Sequence, residues 1–402
     1  MKVLAASVAA TAVIGTTAWS DPTPADWDSI LSAAEGQTVY WNAWGGSTVT
    51  NDFIAWAGDQ VAERYGVTVE HVKLSDTADA VSRVLAEKTA GQDEKGAIDL
   101  IWINGANFAS MKENGLLFGP WASDLPNWAY VNPVENPAVV GDFTVPTDGL
   151  ESPWAMAQVV YYYDTARLPS PPTTPEAFAE FAAANPGRFT FPQPPDFLGT
   201  TYLKQTLYDL LDDPSVLQKP VRDVDYPAVS QVLWDYLDDL TPNLWRSGRA
   251  YPQNGPRQIQ LMADGEIDVA ISFNPNIASN AIENGELPDT VRTFVTDNGT
   301  IGNASFVAIP YNATAKEGAM VLANFLLSPE AQARAQNPAV LGYGTVLSMD
   351  ALSTEDRALF DAIDLGVATL TPAELGTTLA EPHPSWATAL AVDWVKRYGV
   401  TQ

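Results

Sequence analysis

Apolar positions fall at helical spacing between Thr48 and Arg64: Phe53, Ile54, Ala57 and Val61 share one face, and Ser47 or Thr48 stands where a cap belongs. Ahead of this helix, Gln37 to Ala43 is β-rich and runs into Gly45-Gly46. Behind it, Val67 to Leu74 predicts a second strand, and Asp76 or Thr77 opens a helix ending near Thr89. Ile98 to Ile103 predicts a third strand, whose unbroken apolar run suits a parallel strand covered on both faces. Asn104-Gly105-Ala106-Asn107 then turns into a short helix closed by Gly115. Strand and helix alternating in this way imply a parallel sheet with right-handed crossovers.

The pattern changes after Leu116, where residues up to Pro153 are rich in Pro, Trp and Asn and predict an irregular wrap. Trp154 to Asp164 reads as one long strand carrying Tyr161, Tyr162 and Tyr163. A Pro-rich turn leads to a helix over Glu176 to Ala184, a strand at Phe189 to Phe191, and helices at Asp196 to Asp212, Tyr226 to Leu240 and Gln258 to Ala263. Ile267 to Phe273 is an apolar strand ending in Asn274-Pro275-Asn276, and Ser305 to Ile309 another strand. Lys316 to Leu327 predicts a helix with Ala319, Leu322, Phe325 and Leu326 on one face, and Ser328-Pro329 caps the next. The expected architecture is α/β with two lobes: 21–153 plus 309–345, and 154–308, followed by a helical C-terminal extension, 346–402. Two connecting strands make a hinge with a cleft, and ligands of open parallel sheets lie beyond the carboxyl ends of the strands.

Composition narrows the chemistry. The 402 residues carry 21 Lys+Arg against 49 Asp+Glu, a formal charge of −28, which argues against nucleic acid and against a polybasic membrane patch. There is no cysteine, which removes disulfides, thiolate metal sites and a lipidated Cys; the two histidines leave little room for acid–base or metal chemistry. The N-terminus has a secretory layout: Lys2, an apolar run from Val3 to Ile14, and Ala18-Trp19-Ser20 before Asp21, so 1–20 is expected to be a signal peptide and the mature chain a periplasmic protein without a lipid anchor. No other stretch is long and apolar enough to span a bilayer.

Three segments resemble a known family. Tyr162-Tyr163-Asp164-Thr165-Ala166-Arg167-Leu168 with Pro172, Thr174 and Pro186-Gly187-Arg188-Phe189 is similar to the first lobe crossing of bacterial ABC-importer solute-binding proteins. Met262-Ala263-Asp264-Gly265-Glu266-Ile267-Asp268 resembles their helix, Asp-Gly-Glu, strand segment, and Pro310 to Gln332 their helix pair after the return crossing. Asp196 to Thr200 and Glu381-Pro382-His383-Pro384-Ser385-Trp386 resemble the YnjB-type branch, beside the iron, thiamine and polyamine receptors. The resemblance implies a type II periplasmic-binding-protein fold that closes on a small molecule and docks on a permease driven by an ATPase, as a monomer without a cofactor.

The candidate ligand-binding residues follow from the cleft. Trp44-Gly45-Gly46-Ser47 and Asn104 with Asn107 and Phe108 leave the first and third strands, where glycine admits a ligand and helix amides attract polar groups, or where they simply form tight turns. Trp154 and Gln158 sit on the crossing strand, as ligand contacts or hinge packing. Asp196, Phe197, Gly199 and Thr200 open a helix in the opposite lobe; Asp196 either caps it or faces a cation. Asn274 and Asn276 end a strand of that lobe, as binding groups or as a turn. Arg246 and Arg249 are surface charges or a clamp for an anion. Neighbouring residues on a strand face opposite ways, so the three tyrosines cannot share one metal, and no metal is expected.

Strong negative charge and aromatic residues favour a small organic cation, thiamine-like or polyamine-like, over an oxyanion. Helix N-termini at the cleft argue the other way. No catalytic residue is assigned, because no G-x-S-x-G, P-loop or H-E-x-x-H motif occurs. The alternative is a secreted hydrolase such as a glycosidase, using two carboxylates about 5–9.5 Å apart.

Overall fold

The structure, a computed structural model, describes residues 26–399; the expected signal peptide lies outside them. Lobe 1 begins with α1 (Trp27–Ala34), β1 (Thr38–Trp44), α2 (Thr48–Tyr65), β2 (Thr68–Leu74), α3 (Thr77–Thr89), β3 (Leu100–Ile103) and α4 (Ala106–Glu113). An irregular wrap follows, with a small hairpin of β4 (Gly141–Asp142) and β5 (Val145–Pro146), and leads into β6 (Glu151–Gln158). Lobe 2 takes β7 (Val160–Asp164), α5 (Pro175–Ala184), α6 (Phe197–Leu210), α7 (Tyr226–Leu240), α8 (Gly255–Ala263), β8 (Val269–Ser272), α9 (Ile277–Glu283) and β9 (Val291–Phe294). The chain returns through β10 (Thr300–Ala308) to α10 (Lys316–Leu326), α11 (Pro329–Gln336) and α12 (Thr354–Asp361), then runs through α13 (Pro372–Leu375) and β11 (Thr378–Leu379) to α14 (Pro384–Tyr398).

The lobe 1 sheet has the order β11-β10-β3-β1-β2, with β6 also on β10. β1 is parallel to β2 and β3, as the alternation of strand and helix demands, while β10 is antiparallel to β3 and β6. The helix faces read from spacing are the buried ones: Phe53, Ile54, Ala57 and Val61 of α2 meet Ala319, Leu322, Phe325 and Leu326 of α10 in one core. α3 and α4 cover the other side through Val81, Val84, Phe108 and Met111. Lobe 2 has a three-stranded sheet, β8-β7-β9, with β7 antiparallel to both neighbours. Its adjacent tyrosines face opposite ways, Tyr161 into one core cluster and Tyr162 into another.

Several expectations are corrected. The run from Trp154 to Asp164 is two strands in two different sheets, broken at Val159, whose amide donates to Ile301 at 2.7 Å. Periodicity detects extended backbone but not which sheet it joins. The lobe boundaries move accordingly, because β6 and β10 are both hydrogen-bonded into lobe 1. Phe189 to Phe191 makes only an isolated bridge, Phe189 to Val269; all three of its side chains are buried, so the segment is extended and covered without forming a ladder. β9 was not foreseen from the pattern.

The expected extension, 346–402, is not separate over its described part, which runs to residue 399. Leu352 and Phe360 complete the lobe 1 core, Ala368 packs in lobe 2, β11 pairs with β10 across the boundary, and Trp386, Leu390 and Trp394 fill the lobe 2 core. Among the described residues the C-terminal segment therefore adds further connections between the lobes beyond the two strands. The C-terminal helix is half-apolar because it is a wall of lobe 2, and it also touches α4 of lobe 1.

Candidate functional site

The carboxyl ends of β1 and β3 and the loop after β2 open on a cavity of about 1270 Å³ between the lobes. Lobe 1 contributes Trp44, Ser47, Asp76, Thr77, Trp102, Asn104 and Phe143; lobe 2 contributes Tyr162, Asp196, Phe197, Thr200, Lys204, Asn254, Phe273 and Asn274; α14 closes one side with Ala391, Val392 and Val395. The cavity exceeds the usual 300–1,000 Å³ of small-molecule sites, as a cleft between two lobes should.

The two turns foreseen in lobe 1 do reach it. Ser47 caps α2, accepting from the Thr50 amide at 3.5 Å. The double glycine has a packing cause: a Cβ on Gly45 would lie 2.5 Å from that of Lys73, and one on Gly46 would lie 2.4 Å from the Trp44 indole. Gly46 therefore lets Trp44 lie over its own turn, while Gly45 makes room for β2 and is not at the cavity surface. Asn104 and Asn107 line the cavity, and the Asn104 amide is also tied to the Ala304 carbonyl at 2.7 Å. Gly105 has φ +59°, and its amide donates to Asp142 at 2.6 Å. Asp142 is wholly buried, and burial pushes its carboxyl well above the ordinary range.

In lobe 2, Asp196 caps α6, accepting from the Leu198 amide at 2.9 Å and the Gly199 amide at 3.2 Å. The capping reading of this residue holds, and it also lines the cavity. Burial raises its pKa to about 6 against the pull of those two amides, and the charge of Asp76 adds to the rise. Asp76 is the cap of α3, accepting from the Ala78 amide at 2.9 Å. Two helix-capping carboxylates thus face one cavity from opposite lobes. Phe197 is 46% exposed and stands edge-on to Phe273 at 5.2 Å. Deeper in, the Lys204 ammonium sits 4.5 Å from the centre of the Phe143 ring and 2.5 Å from Glu381. Glu381 also accepts from Asn303 at 2.9 Å; burial pushes its carboxyl up, opposed by Lys204 and Asn303.

Other expected site residues are placed elsewhere. Trp154 is 1% exposed, with its ring against Trp41, Phe53 and Trp102 in the lobe 1 core. Gln158 binds Thr300, Thr378 and the Leu375 carbonyl, which makes it a hinge residue. Phe108 is core. Gly199 packs on the Pro192 carbonyl, where a Cβ would come within 2.1 Å. Asn274 reaches the cavity but donates to the Leu341 carbonyl at 2.8 Å, and Asn276 donates to that of Gly342. Arg246 and Arg249 are not at the cavity; Arg246 stacks on Trp245. Asp76, Trp102, Phe143, Lys204 and the α14 wall were not foreseen. Asp76 occupies the same place after β2 that Ser47 occupies after β1, and Lys204 follows Asp196 by eight residues on one helix face, so both were within reach of the pattern.

Among the described residues there is no cluster of three or more His, Cys, Asp or Glu that could hold a metal ion, and no helix long and apolar enough to cross a membrane. The described residues at the cavity are polar, aromatic and aliphatic side chains from both lobes.

Comparison with known proteins agrees. The model of the bacterial extracellular solute-binding protein family matches residues 56–355. Protein YnjB of Escherichia coli (strain K12) is 43% identical over 377 residues, 93% of this chain and 94% of that protein. The periplasmic binding protein AfuA of Actinobacillus pleuropneumoniae, solved with exogenous fructose-6-phosphate, shares the fold with a TM-score of 0.63 at 16% identity over 91% of this chain and 99% of that one. A putative spermidine/putrescine ABC transporter protein of Listeria monocytogenes does so with a TM-score of 0.60 at 18% identity over 90% and 99%. The two-lobed α/β fold, the cleft at the strand ends and these matches together establish that the chain belongs to the bacterial extracellular solute-binding protein family.

Proposed function

We propose that this protein captures a small organic cation in the interlobe cavity and delivers it to the permease of an ABC importer, whose ATPase supplies the energy. It would act outside the cytoplasm, exported by its N-terminal signal, without a lipid anchor, as a monomer and without catalysis. The observation that carries the ligand class is the pair Asp76 and Asp196, one from each lobe, lining one cavity with Trp44 and Phe197. The two lysines at the cavity are each held by a carboxylate, Lys204 by Glu381 and Lys396 by Asp393. The acids instead accept helix-cap amides, which leaves their charge available to a ligand. Aromatic faces add about 0.5–2 kcal/mol each toward a cation.

The fold by itself does not select the charge, since its solved relatives include a putative spermidine/putrescine transporter protein and a binding protein solved with fructose-6-phosphate. Helix starts at Ser47, Asp76, Asp196 and Asn254 would favour an anion, but two of these four are capped by carboxylates that already offset the dipole. The hydrolase alternative finds no support among the relatives. A thermal-shift screen of thiamine, polyamines, quaternary amines, sugars and oxyanions is the test, because a ligand raises the melting temperature by mass action. Stabilisation by oxyanions alone overturns the cationic reading.

A further inference from the structure

α14 carries two apolar faces where a wall of one lobe needs only one. Trp386, Leu390 and Trp394 are buried in the lobe 2 core. A second row, Thr388, Ala391, Val392 and Val395, follows the i, i+3, i+4, i+7 spacing of one helix face and lines the interlobe cavity. Val392 is 48% exposed and Val395 45%. Among the described residues nine large apolar side chains are exposed, and three of them, these two valines and Phe197, line this one cavity. A lone exposed apolar residue is ordinary on a protein surface, but a row of them inside a concave site marks where an apolar group will be covered. The row also has a definite place. α14 packs on α6. Near the start of α14 the Trp386 indole donates to the Lys219 carbonyl, beyond the end of α6, at 2.9 Å; near its end Trp394 meets Phe191, ahead of α6, with ring centres 6.3 Å apart. The two helices are therefore antiparallel, and Val392 and Val395 run beside the first turn of α6, where Asp196 and Phe197 stand.

We propose, resting on the cationic reading above, that the ligand is an amphiphilic monocation: its charge is held by Asp76 and Asp196, and an alkyl chain or apolar ring attached to it lies against Val392 and Val395. Apolar area removed from water on this wall adds affinity, whereas a second ammonium would have to shed its water against methyl groups that offer it no hydrogen bond. Of the two ligand shapes left open above, this favours the ring-bearing cation over the polyamine, whose charges recur every few carbons. The other group able to cover the row is α4 of lobe 1, which already touches α14. A cover of that kind gives affinity no dependence on the length of a ligand's chain.

The test titrates the full chain calorimetrically with trimethylammonium chlorides whose fourth substituent is methyl, ethyl, butyl or hexyl. Affinity should rise about two- to fourfold for each added methylene. Hexane carrying a trimethylammonium at both ends should lose that gain. Val392→Thr with Val395→Thr keeps the shape of both side chains and should flatten the rise; Val392→Leu with Val395→Leu should keep it. The rise is a ratio within one protein, so a change in folding or in binding of the charge, shared by every probe, cancels from it. A series that is flat in the unaltered protein, or a rise that the two threonines leave intact, overturns the apolar subsite, while binding of tetramethylammonium leaves the cationic reading standing. If none of the cations binds but hexanol does, and the two threonines weaken it, the cationic reading fails and the apolar wall remains. If neither the cations nor hexanol bind, both fall.

Discussion

The ammonium of Lys204 and a carboxylate oxygen of Glu381 meet 2.5 Å apart with both side chains 2% exposed, so a helix of lobe 2 is pinned to the returning C-terminal segment at the floor of the cavity. Removing one partner of such a pair leaves a buried charge uncompensated. Glu381→Leu should cost about 3–5 kcal/mol, and Lys204→Met a similar amount, while the double variant should cost clearly less than their sum. Urea denaturation of the three variants measures this; single losses below about 1 kcal/mol that simply add would show that the pair is not coupled.

Asp196 makes stability and binding depend on pH in opposite senses. Its pKa in the fold, about 6, lies above the ordinary 3.8, so the folded state holds the proton more tightly. Its contribution to stability is therefore complete below about pH 4 and is lost as pH rises through about 6. Asp196→Asn keeps a good helix cap and should flatten that part of the stability curve, by about 1–2 kcal/mol. A curve whose slope between pH 4 and 6 is unchanged by the substitution contradicts the raised pKa.

Binding of a cation needs the ionised carboxylate. Affinity for a cationic ligand should fall as pH drops below about 6, by up to about tenfold per unit, and Asp196→Asn should make it low and independent of pH in that range. Calorimetric titration at pH 5 and pH 7.5 reads this directly. An affinity that is the same at both values argues that Asp196 does not face the ligand.

Trp44 and Trp154 should part company. Trp154 is enclosed by Trp41, Phe53 and Trp102, so Trp154→Ala should cost about 3–5 kcal/mol of stability. Trp44 lines the cavity and is only half-buried, so Trp44→Ala should weaken ligand binding by about 0.5–2 kcal/mol and change the urea midpoint little. The reverse pattern would mean that the crossing strand, not the first turn, holds the ligand.

Gly342 should resist substitution. Its φ is +81°, and a Cβ there would stand 2.8 Å from that of Asn276, whose amide grips the Gly342 carbonyl. Asn274 and Asn280 hold the neighbouring Leu341 and Pro338 carbonyls, so three asparagines of lobe 2 clasp one segment of lobe 1. Gly342→Ala should cost about 1–3 kcal/mol in urea denaturation. A stability equal to that of the unaltered protein would show that the clasp adapts freely.

Much of this molecule was legible along the chain. The first three strands and the helices between them are found within a residue or two of where apolar spacing and cap residues put them, and α7 spans Tyr226–Leu240 as read. These elements are legible because each is specified locally: one apolar face, a side chain able to cap, a glycine or proline to stop. The site was partly legible for the same reason. Ser47, Asn104, Asn107, Asp196, Phe197 and Thr200 lie at or beyond strand ends and helix starts, and that position alone brings them to the cavity.

What the chain by itself determined, then, is its α/β elements, its family resemblance and the helix starts that would meet in a cleft. Tertiary structure decided the rest, because it turns on pairs far apart in sequence. Only the fold shows that Val159 divides one β-rich run between two sheets, since both halves are extended and apolar. Only the fold sends Trp154 into a core while Trp44 stays at the cavity, for an aromatic residue carries no local mark of which surface it will meet. Lys204 and Glu381 are separated by 177 residues, and neither looks unusual until the C-terminal segment folds back and the loss of water makes each charge need the other.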